Sequence, residues 1–228
     1  DKNLTIDLGG NTYTIDGTLV GSTGTQTLAF QLKKGNDITI TNGTITSTNA
    51  KMLIQNYANL TLDNVTLDGT NSDVMQYVLS NNSGDVAINE STIKANDGVV
   101  AFDVCDFQSY AAPTVTVTDS TIVGEIEIST DSRDTTAGDT LSLNLVSGDF
   151  SAATLDVLEE TAVVTKGADA TVAAPEDYKW VDNVLVAKDY VAEVNGVKYE
   201  SLEEAVAAAN AGDTVYLTAD ATGNGIVI

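Results

Sequence analysis

The stretch "STDSRDTTAGDT" places the only arginine of the chain, Arg133, among Asp131, Asp134 and Asp139. A cation among carboxylates is the raw material of an acidic metal site. The same composition also makes a solvated loop with a local ion pair, and carboxylates confined to one stretch suit the loop better. "DGTNSD" (Asp68 to Asp73) and "NDGVVAFDVCD" (up to Asp106) offer further oxygen ligands, but neither has EF-hand spacing and both read as polar turns. The chain has no histidine. That removes Ser-His-Asp and Cys-His nucleophilic sites and histidine-bearing zinc sites. Cys105 is the only cysteine, so an intrachain disulfide and a thiolate metal cage are both excluded. In "VVAFDVCDF" it reads as a small buried hydrophobe. With 33 acids, some carboxylate pair falls at a glycosidase-like separation by chance, and such pairs carry no weight. No catalytic residue, cofactor site or metal ligand is assigned on these grounds.

The formal charge is −23, from 33 acidic and 10 basic residues. Such a surface repels phosphate backbones and anionic lipid, which argues against nucleic-acid partners and membrane-surface roles. Excess carboxylate keeps a large β surface soluble. Apolar residues make up 43% of the chain, mostly Val, Ile, Leu and Ala with abundant Thr beside them, a mix that favours strands. No apolar run is long enough to span a bilayer, so membrane insertion is not expected. The chain has neither a signal peptide nor an initiating Met and reads as a mature piece or an excised segment.

The elements that must position any site come from a repeat. "ITITNGTI" from Ile38, "LTLDNVTL" from Leu60, "VAINESTI" from Val86 and "VTVTDSTI" from Val115 superimpose without gaps, with looser copies from Leu4 and Leu141. The period drifts from 22 residues (Leu60 after Ile38) to 34 (Ile38 after Leu4), and apolar residues alternate within each copy. Helical repeats keep a tighter period and an i, i+3, i+4 pattern; alternation around a recurring bend predicts the coils of a β-solenoid. Stacking then predicts interior columns Ile40, Leu62, Ile88, Val117 and Ile45, Leu67, Ile93, Ile122. The bends fall at Asn42, Asn64, Glu90 and Asp119, and a threonine column runs through Thr44, Thr66, Thr92 and Thr121, both able to hydrogen-bond as ladders. Triplets such as Asn42-Gly43-Thr44 match a glycosylation sequon but sit at these ladder positions.

The reading divides the chain into coils over 1–150, terminal strands and a connector over 151–190, and a last segment over 191–228. In that segment Asn195-Gly196 predicts a type I′ hairpin. "SLEEAVAAANAGD" predicts the one helix: Ser201 and Glu204 form a capping box, Leu202, Ala205, Val206 and Ala209 make an apolar stripe, and Gly212 is placed to end it. The helix suits a lid over an open solenoid end. The chain stops in "GDTVYLTADATGNGIVI", on apolar residues that read as the first coil of a following unit.

"YESLEEAVAAANAGDTVYLTADATGNGIVI", followed by "DKNLTIDLGGNTYTIDG", resembles the opening of right-handed parallel β-helix proteins of the pectate-lyase-like superfold, with its two halves at opposite ends of this sequence. The hairpin, the helix and "VTKGADATVAAPEDYKWVDN" are similar to segments of large secreted or surface proteins of gut-type Gram-positive bacteria. The resemblance implies a right-handed parallel β-helix with a short capping helix and a hairpin, at the surface of or outside a bacterial cell. For catalysis it implies an Arg or Lys base beside aspartate-held calcium, a role only Arg133 could fill as an arginine. The related polygalacturonases carry a histidine that this chain lacks.

The expected function is a non-catalytic structural or adhesive repeat that stacks head to tail into a filament or surface stalk. Its partners are copies of itself, with no cofactor. The expected contact joins Leu4 and Ile6 to Val215, Leu217, Ile226, Val227 and Ile228, with Ile226 to Ile228 buried by a following copy or exposed where that copy is missing. The alternative is a module that binds, or weakly depolymerises, acidic polysaccharide such as a host or environmental glycan. That reading requires Tyr57, Tyr77, Phe107 and Tyr110 to converge.

Overall fold

Alternating apolar residues turn inward in every copy of the repeat, and each coil stacks its inward side chains on those of the next. The computed structural model describes residues 2–131 and 139–228. It shows a mainly β chain wound into a parallel β-solenoid of about five turns, with one short helix and a small antiparallel sheet. The first coils are built from β1 (Asn3–Ile15) and β2 (Leu28–Leu32), then β3 (Asp37–Ser47) and β4 (Met52–Asn56), then β5 (Asn59–Asp68) and β6 (Tyr77–Asn81). β7 (Val86–Asn89), β8 (Thr92–Lys94) and β9 (Val100–Asp106) follow, then β10 (Thr114–Thr118) and β11 (Ser120–Thr130), then β12 (Ser142–Asp149), β13 (Ala153–Val157) and β14 (Val163–Thr171). Contacts divide the chain into a unit of residues 1–175 with 180–185, and a unit of residues 176–179 with 186–228.

The parallel register is the predicted one. Ile6, Ile40, Leu62, Ile88, Val117 and Leu145 pair from strand to strand. So do Ile45, Leu67, Ile93 and Ile122. The second face stacks Phe30, Ile54, Leu79, Phe102, Ile126 and Leu155. From the second coil onward these columns are buried. Each such side chain taken out of water contributes about 1.5–3 kcal/mol, so the stack is held by its columns.

The bend column adopts the left-handed region at every predicted position: φ is 54° at Asn42, 55° at Asn64, 47° at Glu90 and 48° at Asp119. Asparagine and aspartate tolerate that region better than other side chains with a Cβ, which explains their recurrence there. The amide ladder forms over part of the column. Asn64 Nδ2 donates to Asn42 Oδ1 at 3.1 Å, and Asn42 Nδ2 donates to Asp7 Oδ1 at 3.1 Å. Glu90 and Asp119 carry no amide to pass the ladder on; Asp119 Oδ1 instead accepts from Ser147 Oγ at 2.7 Å. Hydrogen bonds from Gly9 N–H and Asn42 hold the Asp7 carboxyl below its ordinary value. The threonine column lies in register, from Thr12 through Thr44, Thr66 and Thr92 to Thr121. A second asparagine pair is internal: Asn56 Nδ2 donates to Asn81 Oδ1 at 2.7 Å, with both residues fully buried.

The two ends of the coil stack differ. At the far end β15 (Tyr178–Val181) turns through Asp182 and Asn183, at φ 48° and 66°, into β16 (Val184–Ala187). Two successive positive φ values are the signature of a type I′ turn. β16 meets β14 antiparallel at Thr165 and Val184, which ends the parallel stack. Lys166 Nζ lies 5.1 Å from the centroid of Trp180 on the same hairpin. At the near end, the one pairing of β1 among the described residues is with β3. Leu4 is 45% exposed where its column neighbour Ile38 is 8% exposed, and Tyr13 is 53% exposed above Ile45 at 1%.

The second unit contains β17 (Ala192–Val194), β18 (Val197–Tyr199), α1 (Leu202–Ala208) and β19 (Val215–Leu217). Asn195 and Gly196 take φ 52° and 84° and make the expected hairpin. Ser201 caps the helix, its hydroxyl accepting from Glu204 N–H at 3.2 Å. One expectation is corrected. The helix ends at Ala208 with Ala209 in extended backbone, and Gly212 takes its positive φ of 94° later, beyond the helix. The apolar stripe is used on the small sheet, where Ala205 packs with Ala192 and Val194 and is flanked by Ala209, Tyr199 and Val215. Ser201→Ala is expected to cost about 1 kcal/mol of local stability. It would be read as faster amide exchange at Glu204 than in the parent chain.

Candidate functional site

Each coil enters its long strand at a polar residue, and these entry residues stack. Asn59 Nδ2 donates to Asp37 Oδ1 at 2.8 Å, Asp85 N–H donates to Asn59 Oδ1 at 3.2 Å, and Thr114 N–H donates to Asp85 Oδ1 at 3.1 Å. The column is therefore tied coil to coil while its side chains stay exposed. Two depressions flank it. One of roughly 400 Å³ is bounded by Lys34, Tyr57, Ser83 and Ala112, the other of roughly 470 Å³ by Thr39, Thr61, Ala87 and Thr116. Asp37, Asn59 and Asp85 line both, so together they form one groove along the coil stack.

Three of the four aromatic residues required by the glycan-binding alternative meet beside this groove. Tyr57 lies 5.9 Å from Phe107 and 5.5 Å from Tyr110, ring centroid to ring centroid, and Phe107 stacks on Tyr110 at 6.3 Å. Lys34 Nζ sits 4.5 Å from the Tyr110 centroid. Tyr77 does not join them; the register of β6 with β9 puts it beside Val100.

Tyr77 instead faces a second cluster on the outer side of the other sheet. There Gln55, Ser80, Asp103, Glu127 and Asp156 are successive partners in the parallel register. Asp103 accepts from Ser80 Oγ at 3.1 Å and from Ser129 Oγ at 3.4 Å, and it is almost fully buried. Burial, reinforced by Glu127, pushes its carboxyl up to about 7. Burial followed by Glu125 and Asp156 raises Glu127, and burial with the nearby carboxylates raises the Tyr77 phenol. Cys105, on the same strand, is buried and free, its thiol pushed up to about 12 by burial. That agrees with its reading as an inert small residue.

Arg133 and Asp134 lie outside the described residues, so the arginine-centred reading has no geometry to test it. Asp131 and Asp139 are described, and Asp131 N–H donates to Asp106 O at 2.8 Å. The "DGTNSD" turn closes on itself: burial works against the Asp68 carboxylate, but hydrogen bonds from Thr70 and the Lys94 ammonium at 2.9 Å hold it below its ordinary value. Among the described residues no three carboxylate, thiol or imidazole groups converge as a metal ion requires.

Of the expected contact residues, Leu4 and Leu217 are exposed, Ile6, Val215 and Ile226 are half-buried, and Val227 and Ile228 are fully exposed. The structure gives β19 a partner that the sequence pattern does not reveal. It pairs antiparallel with β17, through Ala192 with Leu217 and Val194 with Val215, and forms an edge of the small sheet.

No family model, curated protein or solved structure matches this chain. Among the described residues no helix is long and apolar enough to cross a membrane. The fold and the two clusters define a parallel β-solenoid with a polar, aromatic-edged groove and a carboxylate column in which Asp103 is buried and Glu127 and Asp156 are half-buried.

Proposed function

We propose that this chain is a non-catalytic structural or adhesive β-helix repeat that stacks head to tail, building a filament or stalk outside a bacterial cell. The inequality of the two coil ends carries the reading. β1 is a 13-residue edge strand with one partner among the described residues, and the apolar side chains that are buried in every later coil are exposed on it at Leu4 and Tyr13 and half-buried at Ile6. A long, open, apolar edge is a template for pairing, which proteins either blunt or use. The far end is blunted by the antiparallel hairpin over β14. Because the two ends are unlike, a contact of one end with the other is heterologous, and a heterologous contact that does not close on itself propagates. The second unit offers the complementary surface: the free edge of β19, with Tyr216 and Leu217 exposed, and the apolar residues Ile226 to Ile228. The extracellular bacterial setting rests on the resemblance of the hairpin and helix segment, residues 191–220, and of residues 164–183 to segments of large secreted or surface proteins.

Sedimentation velocity of the 228-residue chain tests it. The expected result is a weight-average mass that rises with concentration without a plateau at dimer. The Leu4→Lys/Ile6→Lys variant should stay monomeric at the same concentrations while keeping the far-UV circular dichroism of the parent chain. A parent chain that remains monomeric at millimolar concentration overturns the reading.

A further inference from the structure

The geometry points to the groove along Asp37, Asn59 and Asp85 as a binding site for a neutral, extended polysaccharide, lying along the coil stack with Tyr57 at its edge. This inference does not rest on head-to-tail assembly, and it departs from the acidic polysaccharide of the alternative reading of the sequence.

Three features carry it. The first is the floor. Asp37, Asn59 and Asp85 are tied to one another by their own side chains and backbone, so they are preorganised before any ligand arrives. The bonds that tie the two carboxylates use Oδ1, and each carries a second oxygen able to accept from a sugar hydroxyl. A carboxylate that accepts a hydrogen bond makes it stronger than a neutral acceptor would, and it discriminates in favour of hydroxyl donors.

The second is the repeat. The floor presents one polar side chain per coil, at the strand spacing of about 4.8 Å. An extended pyranose chain advances by about one such spacing per sugar, so successive rings meet successive coils in similar surroundings. The adjoining column adds a methyl and a hydroxyl at Thr39 and Thr61 and again at Thr116, with a methyl alone at Ala87 between them, a surface that suits the mixed polarity of a sugar face.

The third is the edge. Tyr57 lines the groove and is braced by Phe107 and Tyr110, so its ring is held by packing. A braced aromatic beside converging polar groups has the composition of a small-ligand site. Charge chooses among polysaccharides. Asp37 and Asp85 line the groove throughout, and the cation at its border, Lys34, lies over the Tyr110 ring. A uronate would bring its carboxylate against two others, at a cost that a neutral sugar avoids.

Isothermal titration of the full chain with cellohexaose, xylohexaose and mannohexaose, with hexagalacturonate as the charged comparison, tests the proposal. At least one neutral hexasaccharide is expected to bind with a Kd in the micromolar to low-millimolar range and at least tenfold more tightly than hexagalacturonate. Tyr57→Ala and Asp85→Asn should each weaken that binding by tenfold or more, while Tyr57→Phe, which keeps the ring, retains it. Tyr13→Ala, at an aromatic pair on the first coil away from the groove, should leave the Kd unchanged. Thermal midpoints of the variants separate loss of site from loss of fold. Binding by none of the neutral ligands, preference for hexagalacturonate, or equal binding by Tyr57→Ala and the parent would each overturn the proposal.

Discussion

Asp103→Asn is expected to raise the thermal midpoint of the coil stack by roughly 4–10 °C at pH 8 and to leave it nearly unchanged at pH 4. Asp103 is buried on the outer side of β9, next in register to Glu127, and its carboxyl sits at about 7 instead of its ordinary 3.8. The folded chain therefore binds this proton more tightly than the unfolded chain does. For an acid whose value is raised, the unfavourable contribution is complete above the folded value and fades as pH falls from about 7 towards 4. A tenfold difference in proton affinity between the folded and unfolded chains corresponds to about 1.4 kcal/mol, and the amide keeps both serines as partners, its oxygen accepting from one hydroxyl and its NH2 donating to the other, so about 2–3 kcal/mol of the penalty should be recovered at pH 8. Glu127 is raised in the same direction, by burial and then by Glu125 and Asp156, so the parent chain should itself gain stability on mild acidification. Thermal melts at pH 8, 6 and 4 check both statements. A parent midpoint that falls steadily from pH 8 to pH 5 would show that the carboxylate column is not the dominant titrating feature.

The column that makes this prediction is not legible in the sequence, although its side of the strand is. Period-two alternation in "VAFDVCD" puts Asp103 and Cys105 opposite Phe102 and Val104. It says nothing of which outward residues other strands will crowd, and Asp103 meets Ser80 and Glu127 only because coils of unequal length come into register. The bend column is legible because positive φ selects a short list of residue types and the selection repeats. The hairpin at Asp182-Asn183 carries the same signal, yet it falls where the repeat has ended and so reads as part of a connector. Tyr57 and Phe107 stand two coils apart in the chain, so no local pattern could join them; stacking of the turns that follow β4 and β9 does. The small sheet is half visible. Asn195-Gly196 announces the hairpin, but the antiparallel pairing of β19 with β17 is non-local, and the residues of β19 resemble a first solenoid strand equally well.

Gly84→Ala is expected to cost 3 kcal/mol or more, through overpacking added to backbone strain, each worth about 1–3 kcal/mol. Gly84 lies between β6 and β7 with φ at 83°, and a Cβ there would stand 2.1 Å from Ala58 O and 2.5 Å from Ala58 C, on the backbone of the adjoining coil. Neither atom can rotate aside. The same Ala58 O accepts from the buried Asn56 amide, and Gly84 O accepts from Asn81, so a shift that relieves the clash strains the internal asparagine pair. Gly98→Ala isolates the strain. Gly98 has a similar φ of 74°, but a Cβ there meets nothing within 4 Å, so its cost should stay at about 1–2 kcal/mol. The difference between the two variants, measured by urea unfolding, then reports how closely successive coils approach at this corner. Gly84 also lines the groove beside Tyr57. Gly84→Ala should therefore lose carbohydrate binding together with stability, whereas Gly98→Ala keeps its ligand. Equal costs for the two variants would mean that the coils at this corner stand further apart than the contact of Gly84 with Ala58 requires.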